Sequence, residues 1–510
     1  MEQNSKRIAK NTLFLYFRML LLLVINLYVG RLVLQTLGVS DYGVYNVVGG
    51  VIAMLGFLTG SLSGASSRYI TFGLGKGDIN KLKITFGNIL TIHYILAGVV
   101  LLFGETIGLW FLDTQLQIPQ DRENAAFWVY QFSVITSILA VISVPYNAVI
   151  IAHEKMSAFA FISLLDGVLK LLVAFLLIIA SCDKLILYAG LLLVIQLLDR
   201  VIYYVYCRKH FEESHAPCGF DKLQFKEIFA YAGWTMNGSL ADMGYTQGLN
   251  ILLNIFYGPV VNAARGVAVQ VQGVCQQFCS NFQMALNPQI TKSYAQNDFD
   301  YMHKLLIRSS KFSYFIMLLI ALPLMFEGGY VLQLWLETVP DNTVPFFRLT
   351  MVIGMLFTLR NPIIVSVHAT GNLNRFQIIE GTMLLSIVPI AYVLVKFFHI
   401  SPWYVFAVHI VVEMFTQLAR LYIVLPMISM RIRDYMSQVL RPVIMVTLAA
   451  PIVPICFWNI LNQNDFKSFV LMSLLCIVWA CVVVLFMGCS KNERKFILDK
   501  IIVIKTKMLK

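Results

Sequence analysis

Apolar stretches long enough to cross a lipid bilayer recur along the whole chain, and this pattern constrains the fold more than any other feature. A membrane-spanning helix needs roughly 20 mostly apolar residues. The sequence is 58% hydrophobic and 13% charged, and its mean hydropathy is +0.74. Soluble domains carry roughly 25% charged residues, so a chain this apolar could not cover its own surface in water. We therefore predict an all-α integral membrane protein with about fourteen transmembrane helices.

The first apolar stretch is too long for the core of a signal peptide, so we interpret it as the first membrane helix. The seventh and eighth stretches are unusually polar for transmembrane helices. The predicted spans are 11–37, 41–66, 84–109, 124–150, 154–181, 184–207, 226–256, 261–285, 304–332, 344–370, 375–399, 402–428, 435–460 and 466–488.

The distribution of basic residues predicts the orientation. With the N-terminus inside, 27 of the 39 Lys and Arg residues fall on inner segments or at the inner ends of spans, 4 on outer segments or at the outer ends of spans, and 8 deeper within spans. Cytoplasmic segments of membrane proteins carry such an excess, so both termini are predicted to be cytoplasmic. The net charge of +12 is then mainly a topology signal that also attracts anionic lipid head groups. We predict no nucleic-acid partner.

An internal repeat appears when the sequence is shifted by 220 residues. Transporters often carry duplicated halves. We predict two parallel-repeat six-helix lobes, an N-lobe at 1–207 and a C-lobe at 226–428, joined by a cytoplasmic linker at 208–225. A C-terminal helix pair at 429–488 and a basic tail at 489–510 follow. The shift places Gly38 on Gly258, Val47 on Val267, Val51 on Val271, Ala65 on Ala285, Ile70 on Ile290, Thr71 on Thr291 and Asp78 on Asp298.

No feature of the sequence favours an enzyme. The Gly-rich segment 73–78 lacks the spacing and the hydroxyl residue of a phosphate-binding loop, and no loop is long enough for a catalytic domain. The nine cysteines are scattered without Cys-x-x-Cys spacing, which favours packing roles over a metal or disulfide framework. The linker residues His210, Glu212, Glu213, His215 and Cys218 could be read as a metal site, but a surface linker is the favoured interpretation because their spacing fits no standard ligand set.

The opening of the chain carries local motifs. They are Asn11-Thr12, Gly30-Arg31, the segment 37–45 (LGVSDYGVY) and Ser66-Ser67-Arg68-Tyr69, with Pro288-Gln289-Ile290 in the second lobe. Together with the helix layout, these motifs resemble the polysaccharide or O-antigen-type flippases of the multidrug/oligosaccharidyl-lipid/polysaccharide (MOP) exporter superfamily.

The resemblance implies a function in polysaccharide or lipopolysaccharide biosynthesis. Such a flippase moves undecaprenyl-pyrophosphate-linked oligosaccharide repeat units across the bacterial cytoplasmic (inner) membrane by ion-coupled alternating access. It implies H⁺ or Na⁺ as the coupling ion, with no other cofactor, and partners among other polysaccharide-assembly membrane proteins.

Two alternative transport functions stay open, and a membrane-bound enzyme is disfavoured. A lipid II flippase also handles a polyprenyl pyrophosphate, and a multidrug or metabolite exporter belongs to the same superfamily. Unpaired arginines argue against a cavity for cationic drugs. A membrane-bound polymerase, ligase or glycosyltransferase is disfavoured because the loops are short.

Charged residues within predicted spans are candidate functional residues, because each costs several kcal/mol in lipid unless it is paired or faces water. Asp166 and Lys170, four residues apart, are expected to neutralise each other. Arginine suits pyrophosphate because its planar fork donates two hydrogen bonds and stays charged. The alternative is snorkelling or salt bridges. The candidate pyrophosphate-binding residues are Arg18, Arg31, Arg265 and Arg360.

The seventh and eighth helices each carry a polar stripe. These stripes could line a wet cavity that binds sugars, or they could form hydrogen bonds between helices; we favour the cavity, with Asn250, Gln272 and Gln276 as sugar-binding candidates. Asp242, with Glu380 or Glu413, is the candidate ion-coupling group. The stripes are Thr235, Ser239, Asp242, Thr246 and Asn250, and Arg265, Gln272, Gln276, Gln283 and Asn287.

Overall fold

A computed structural model of the chain describes residues 2–53, 56–115, 118–336, 339, 341–458, 465–495 and 499. Within these residues the secondary structure is helical, without a strand, which confirms the all-α prediction. The helices are α1 (Glu2–Ala53), α2 (Gly56–Lys76), α3 (Ile79–Phe103), α4 (Leu109–Gln115), α5 (Glu123–Ala152), α6 (Met156–Ile179), α7 (Lys184–His210), α8 (Lys222–Ala295), α9 (Phe299–Leu336), α10 (Thr343–Thr370), α11 (Asn374–Leu385), α12 (Ile387–Phe398), α13 (Tyr404–Met427), α14 (Ile432–Tyr435), α15 (Arg441–Ala449), α16 (Ile452–Trp458) and α17 (Phe466–Val483).

Eleven helices in the described part of the chain are long and apolar enough to cross a membrane. Two further predicted spans, 226–256 and 261–285, are helical but more polar, and they are the spans that carry the polar stripes. The remaining predicted span, 41–66, includes residues 54–55, which lie outside the described residues.

The two longest helices are each broken by one glycine. A straight helix of 74 residues, the length of α8, would extend about 110 Å at 1.5 Å per residue, far more than a bilayer. Gly38 breaks α1 (φ 78°, ψ 168°) and Gly258 breaks α8 (φ 82°, ψ 179°). This backbone region is accessible almost only to glycine, so each helix contains two arms joined by a single residue.

These breaks confirm the repeat, because Gly38 and Gly258 are the pair related by the 220-residue shift. A second pair agrees with it: Gly77 has φ 75° and Asn297, 220 residues later, has φ 59°. Asparagine is one of the few other residues that tolerate this left-handed conformation. The two halves therefore adopt a positive φ at equivalent positions, although most of their side chains differ.

Packing divides the chain into two compact units. The first unit comprises Met1–Leu240, Thr291–Asp298 and Gly371–Leu373. In it α5 packs on α2, α3 and α7, and α1 packs on α6. Its core includes the fully buried Val129, Tyr130 and Val134 of α5.

The second unit comprises Ala241–Ile290, Phe299–Thr370 and Asn374–Lys510. Here α10 packs between α9 and α13, and α17 packs on α9. The indole of Trp479 on α17 donates a 3.1 Å hydrogen bond to the carbonyl of Ala449 on α15, which ties the last helices together. The predicted lobe boundaries describe the sequence repeat rather than this packing, and they stay predictions.

Candidate functional site

A chain of ion pairs links three helices of the second unit. Arg360 of α10 donates from Nη2 to both carboxylate oxygens of Asp242, which lies on the first arm of α8, at 2.9 and 2.8 Å. Its Nε lies 3.2 Å from Oε1 of Glu380 on α11. The two carboxylates offset the free-energy cost of burying this guanidinium charge among apolar helices.

Arg420 of α13 continues the chain from the other side of Glu380. Its Nε donates to Glu380 Oε1 at 2.7 Å, and its Nη1 donates to Glu413 Oε1 at 2.6 Å. Nη1 also contacts the amide oxygen of Gln417 at 3.0 Å. The resulting ion-pair network consists of Asp242, Arg360, Glu380, Arg420 and Glu413.

The ion-pair network has one more carboxylate than guanidinium groups, and one of its ends reaches the surface of the unit. The Glu413 side chain has no exposed surface, whereas the Asp242 side chain is 41% exposed. An exposed carboxylate at the end of a buried network can exchange its arginine partner for a proton or a metal cation. The structure thus brings together all three candidate ion-coupling residues, Asp242, Glu380 and Glu413.

Arg420 is the functional candidate that the sequence analysis missed. It follows Glu413 by seven residues and Gln417 by three, so all three lie on one face of α13. His409, one turn before Glu413, is buried on the same face. This polar stripe at helical spacing was the signal that could have identified Arg420.

Arg265 is held differently from Arg360. Its Nη1 contacts Asn250 Oδ1 at 3.3 Å, and its Nη2 donates to the carbonyl of Thr246 at 3.0 Å. Both acceptors are neutral, and Nε is buried without a hydrogen-bond partner. No described carboxylate forms an ion pair with this guanidinium, so it presents an uncompensated positive charge beside Asn250.

The glutamines of the second arm of α8 face α10. Gln272 is buried, and both Gln272 and Gln276 lie beside Gly354. Gln283 donates to the carbonyl of Thr358 at 2.9 Å and accepts from Asn361 at 2.7 Å. Part of this polar stripe therefore forms interhelical hydrogen bonds, while Gln276 Oε1 has no partner and remains available.

Arg18 and Arg31 belong to the first unit. The Arg18 guanidinium lies 4.4 Å from the ring centroid of Phe159, and its buried Nε has no hydrogen-bond partner. Arg31 is exposed. The expected pair of Asp166 and Lys170 is confirmed, with a Nζ–Oδ2 distance of 2.8 Å. Among the described residues, Arg18 has no carboxylate within ion-pair distance.

Two motif residues hold connections within the first unit. Asn11 donates from Nδ2 to the carbonyl of Glu154 at 3.1 Å. The Arg68 guanidinium lies over the Tyr69 ring at 4.5 Å and packs so closely on Gly371 that a Cβ there would clash with it. Both motif residues therefore contact residues that are far away along the chain.

No group of three or more metal-ligating side chains occurs within the described ranges. In the linker, His153 Nε2 lies 2.5 Å from the buried Glu213 carboxylate and stacks on Phe211. The linker residues thus have a structural contact with the end of α5.

Comparison with solved structures finds this fold in several transporters. A MOP superfamily transporter from Pyrococcus furiosus Vc1 (DSM3638), for which a binding pocket of reverse polarity suggests a different function, is 14% identical, with coverage of 84% of this chain and 96% of that chain and a TM-score of 0.69. An outward-facing multidrug resistance MATE family transporter of the MOP superfamily is 13% identical, with 85% and 96% coverage and a TM-score of 0.70. MATE in its straight conformation is 14% identical, with 85% and 97% coverage and a TM-score of 0.67.

Neither the models of known protein families nor the curated proteins give a match. Identity to the solved structures is low, but the likeness covers most of both chains. The chain therefore has the two-lobed, all-helical fold of MATE transporters in the MOP superfamily.

Proposed function

We propose that this protein is a membrane flippase that moves undecaprenyl-pyrophosphate-linked oligosaccharide repeat units from the inner to the outer leaflet of the bacterial cytoplasmic membrane. The motifs of the first lobe resemble polysaccharide flippases, and the fold is that of MOP transporters. Movement would follow alternating access, in which the substrate site faces each side of the membrane in turn.

The observation that carries the proposal is the pair of uncompensated arginines. Arg18 and Arg265 each lie within a helix with a buried Nε that has no partner, and neither meets a described carboxylate. A charge left in this state is costly in a membrane unless a ligand or water compensates it. A pyrophosphate would supply two or more acceptor oxygens to such a guanidinium.

The ion-pair network supports a separate coupling role. Asp242 is its exposed end, and a cation on this carboxylate would release Arg360 from its closest partner. The released guanidinium would then bind the anionic substrate, which gives Arg360 the substrate role expected from the sequence. Cation binding and substrate binding are thereby linked through one side chain.

The experiment uses purified protein in vesicles with an undecaprenyl-pyrophosphate-linked oligosaccharide that carries a fluorescent sugar label. A membrane-impermeant reductant destroys only the label on the outer face, so the rate of signal loss measures flipping. We expect Arg18→Ala and Arg265→Ala to slow flipping at least about tenfold, the value of one charged hydrogen bond. Arg433→Ala, an exposed arginine of α14, is the control and should flip at the wild-type rate. Wild-type rates in both arginine variants would refute the substrate site.

A multidrug exporter is the second candidate, favoured by the likeness to multidrug resistance MATE structures. The two functions predict different effects of the arginine substitutions on transport. A cationic drug would be repelled by Arg18 and Arg265, so efflux of ethidium should rise or stay unchanged in their alanine variants. Lipid II in the same vesicle assay distinguishes the third candidate, because it shares the pyrophosphate but carries a different glycan.

A further inference from the structure

An apolar cavity lies between three helical segments of the second unit, and no residue of the ion-pair network lines it. Its volume is about 490 Å³, within the roughly 300–1,000 Å³ of typical ligand sites. Side chains from α9, from α10 and from the segment that joins α15 to α16 line it. They include Leu318, Leu322, Val352, Leu356 and Pro451.

The polar groups of the cavity wall are satisfied by one another. The Tyr314 hydroxyl lies 2.7 Å from Thr447 Oγ1, which also donates to the carbonyl of Val443 at 2.7 Å. These groups have no need of water in the cavity. The interior therefore suits a hydrocarbon chain.

Arg348 stands at the rim of the cavity. Its Nε donates to the carbonyl of Met325 at 2.9 Å, which fixes the guanidinium there. The side chain is exposed, and no carboxylate of the described residues pairs with it. Both terminal nitrogens are therefore free to bind an anion.

The rim lies near the end of the bilayer that the charge pattern predicts to be outer. Arg348 is five residues after the start of α10, and Trp458, which also lines the cavity, is the last residue of α16. Tryptophan and arginine at such positions are typical of the membrane–water interface. The neighbouring Leu448 and Ile455 are exposed, as expected for a surface in contact with lipid.

We propose that this cavity binds an outer-leaflet glycerophospholipid with an anionic head group. One acyl chain lies between α9, α10 and the α15–α16 segment, and the phosphodiester accepts hydrogen bonds from Arg348. The charge complementarity selects this occupant, because an uncompensated guanidinium at the rim of a dry apolar cavity matches a phosphate attached to a hydrocarbon chain.

The first test uses Trp458 as a reporter. The chain has seven tryptophans, and substitution of the other six by Phe leaves Trp458 alone. Vesicles of phosphatidylcholine receive a rising fraction of phosphatidylglycerol with brominated acyl chains, which quench nearby tryptophan. We expect Trp458 to be quenched by phosphatidylglycerol at about tenfold lower mole fraction than by brominated phosphatidylcholine.

The matched control keeps only Trp335, which lies at the end of α9 and is 49% exposed. Its quenching should follow the mole fraction of either lipid. If Trp458 behaves like Trp335, the site does not exist.

The second test uses the natural tryptophans and native mass spectrometry. Phosphatidylglycerol should remain bound to the wild type and to Arg433→Ala, and should be lost from Arg348→Ala and from Val352→Phe, which fills the cavity. Retention in both of the last two variants would overturn the proposal. Displacement of phosphatidylglycerol by an equimolar amount of undecaprenyl phosphate would also overturn it, because the occupant would then be a polyprenyl lipid.

Discussion

The two units treat charge within their helices in different ways. In the first unit, Asp166 and Lys170 neutralise each other one turn apart, and Arg18 has no carboxylate partner among the described residues. In the second unit, Arg360 and Arg420 are held by three carboxylates, two of which come from other helices. These two arginines of the second unit are therefore fixed by ion pairs, whereas Arg18 of the first unit keeps an uncompensated charge that is available to a ligand.

The largest expected effect is the difference in stability between the alanine variants of Arg420 and Arg18. Arg420→Ala leaves Glu380 and Glu413 buried without their shared partner, which should cost about 3–5 kcal/mol of unfolding free energy. Arg18→Ala removes a charge that has no protein partner, so stability should change by less than about 1 kcal/mol. Thermal and denaturant unfolding in detergent measure both variants. Similar losses in the two would contradict the contrast between the units.

Substitution of the glycines at the helix breaks tests the feature that both units share. Gly38→Ala and Gly258→Ala should each destabilise by about 1–3 kcal/mol, because alanine rarely adopts this backbone conformation. A Cβ would meet no atom within 4 Å at either position, so the effect isolates backbone strain. Gly60→Ala, in a helical position that is equally open, is the control and should be neutral or slightly stabilising. A loss at only one of the two glycines would weaken the structural equivalence of the halves.

Asp242→Asn should change stability little but change coupling. Its side chain is 41% exposed, so loss of the ion pair should cost about 1 kcal/mol or less. Flipping in vesicles should no longer respond to an imposed H⁺ or Na⁺ gradient. Glu105→Gln removes an exposed carboxylate of the first unit, which accepts from Gln131 at 3.2 Å, and should keep the response. An intact gradient response in Asp242→Asn would exclude Asp242 as the coupling group.

The smallest effect concerns the segment that follows α17 in the second unit. Burial acts to raise the pKa of Glu493, but hydrogen bonds from Lys311 Nζ at 2.6 Å and Ser490 N at 2.8 Å hold it below the ordinary 4.5. A depressed carboxyl pKa adds stability above pH 4.5 that is lost as pH falls through the lower folded-state value. Glu493→Gln should therefore cost roughly 1 kcal/mol near pH 7, and the difference from wild type should shrink toward about pH 3.

The control in the first unit is Glu212, an exposed residue 3.5 Å from Lys83. Glu212→Gln should show no such pH dependence, because exposed pairs contribute little. A difference for Glu493→Gln that stays constant between the two pH values would mean that the carboxylate charge is not its source.

Sequence reasoning predicted what depends on spacing along the chain. Hydropathy predicted the helices, the 220-residue shift related Gly38 to Gly258, and the four-residue spacing paired Asp166 with Lys170. Each of these follows from the geometry of one helix or from one duplication.

The ion-pair network could not be predicted in the same way. Asp242 and Arg360 are 118 residues apart, and their packing depends on which faces of α8 and α10 meet. From the sequence alone, Asp242 was therefore assigned to ion coupling and Arg360 to substrate binding, without a contact between them. Arg420 was overlooked although its stripe on α13 was visible, because single charges were weighed without the polar residues one turn away.

The glycine breaks at Gly38 and Gly258 also bear on where the gene can tolerate insertions. Each break joins two long helices through one residue, so an added peptide would have to grow directly from the helix ends and would displace both arms. Surface loops tolerate inserted residues at a small free-energy cost. These two junctions contain no loop that could accommodate them. A library of random in-frame insertions selected for function should therefore be depleted at both sites.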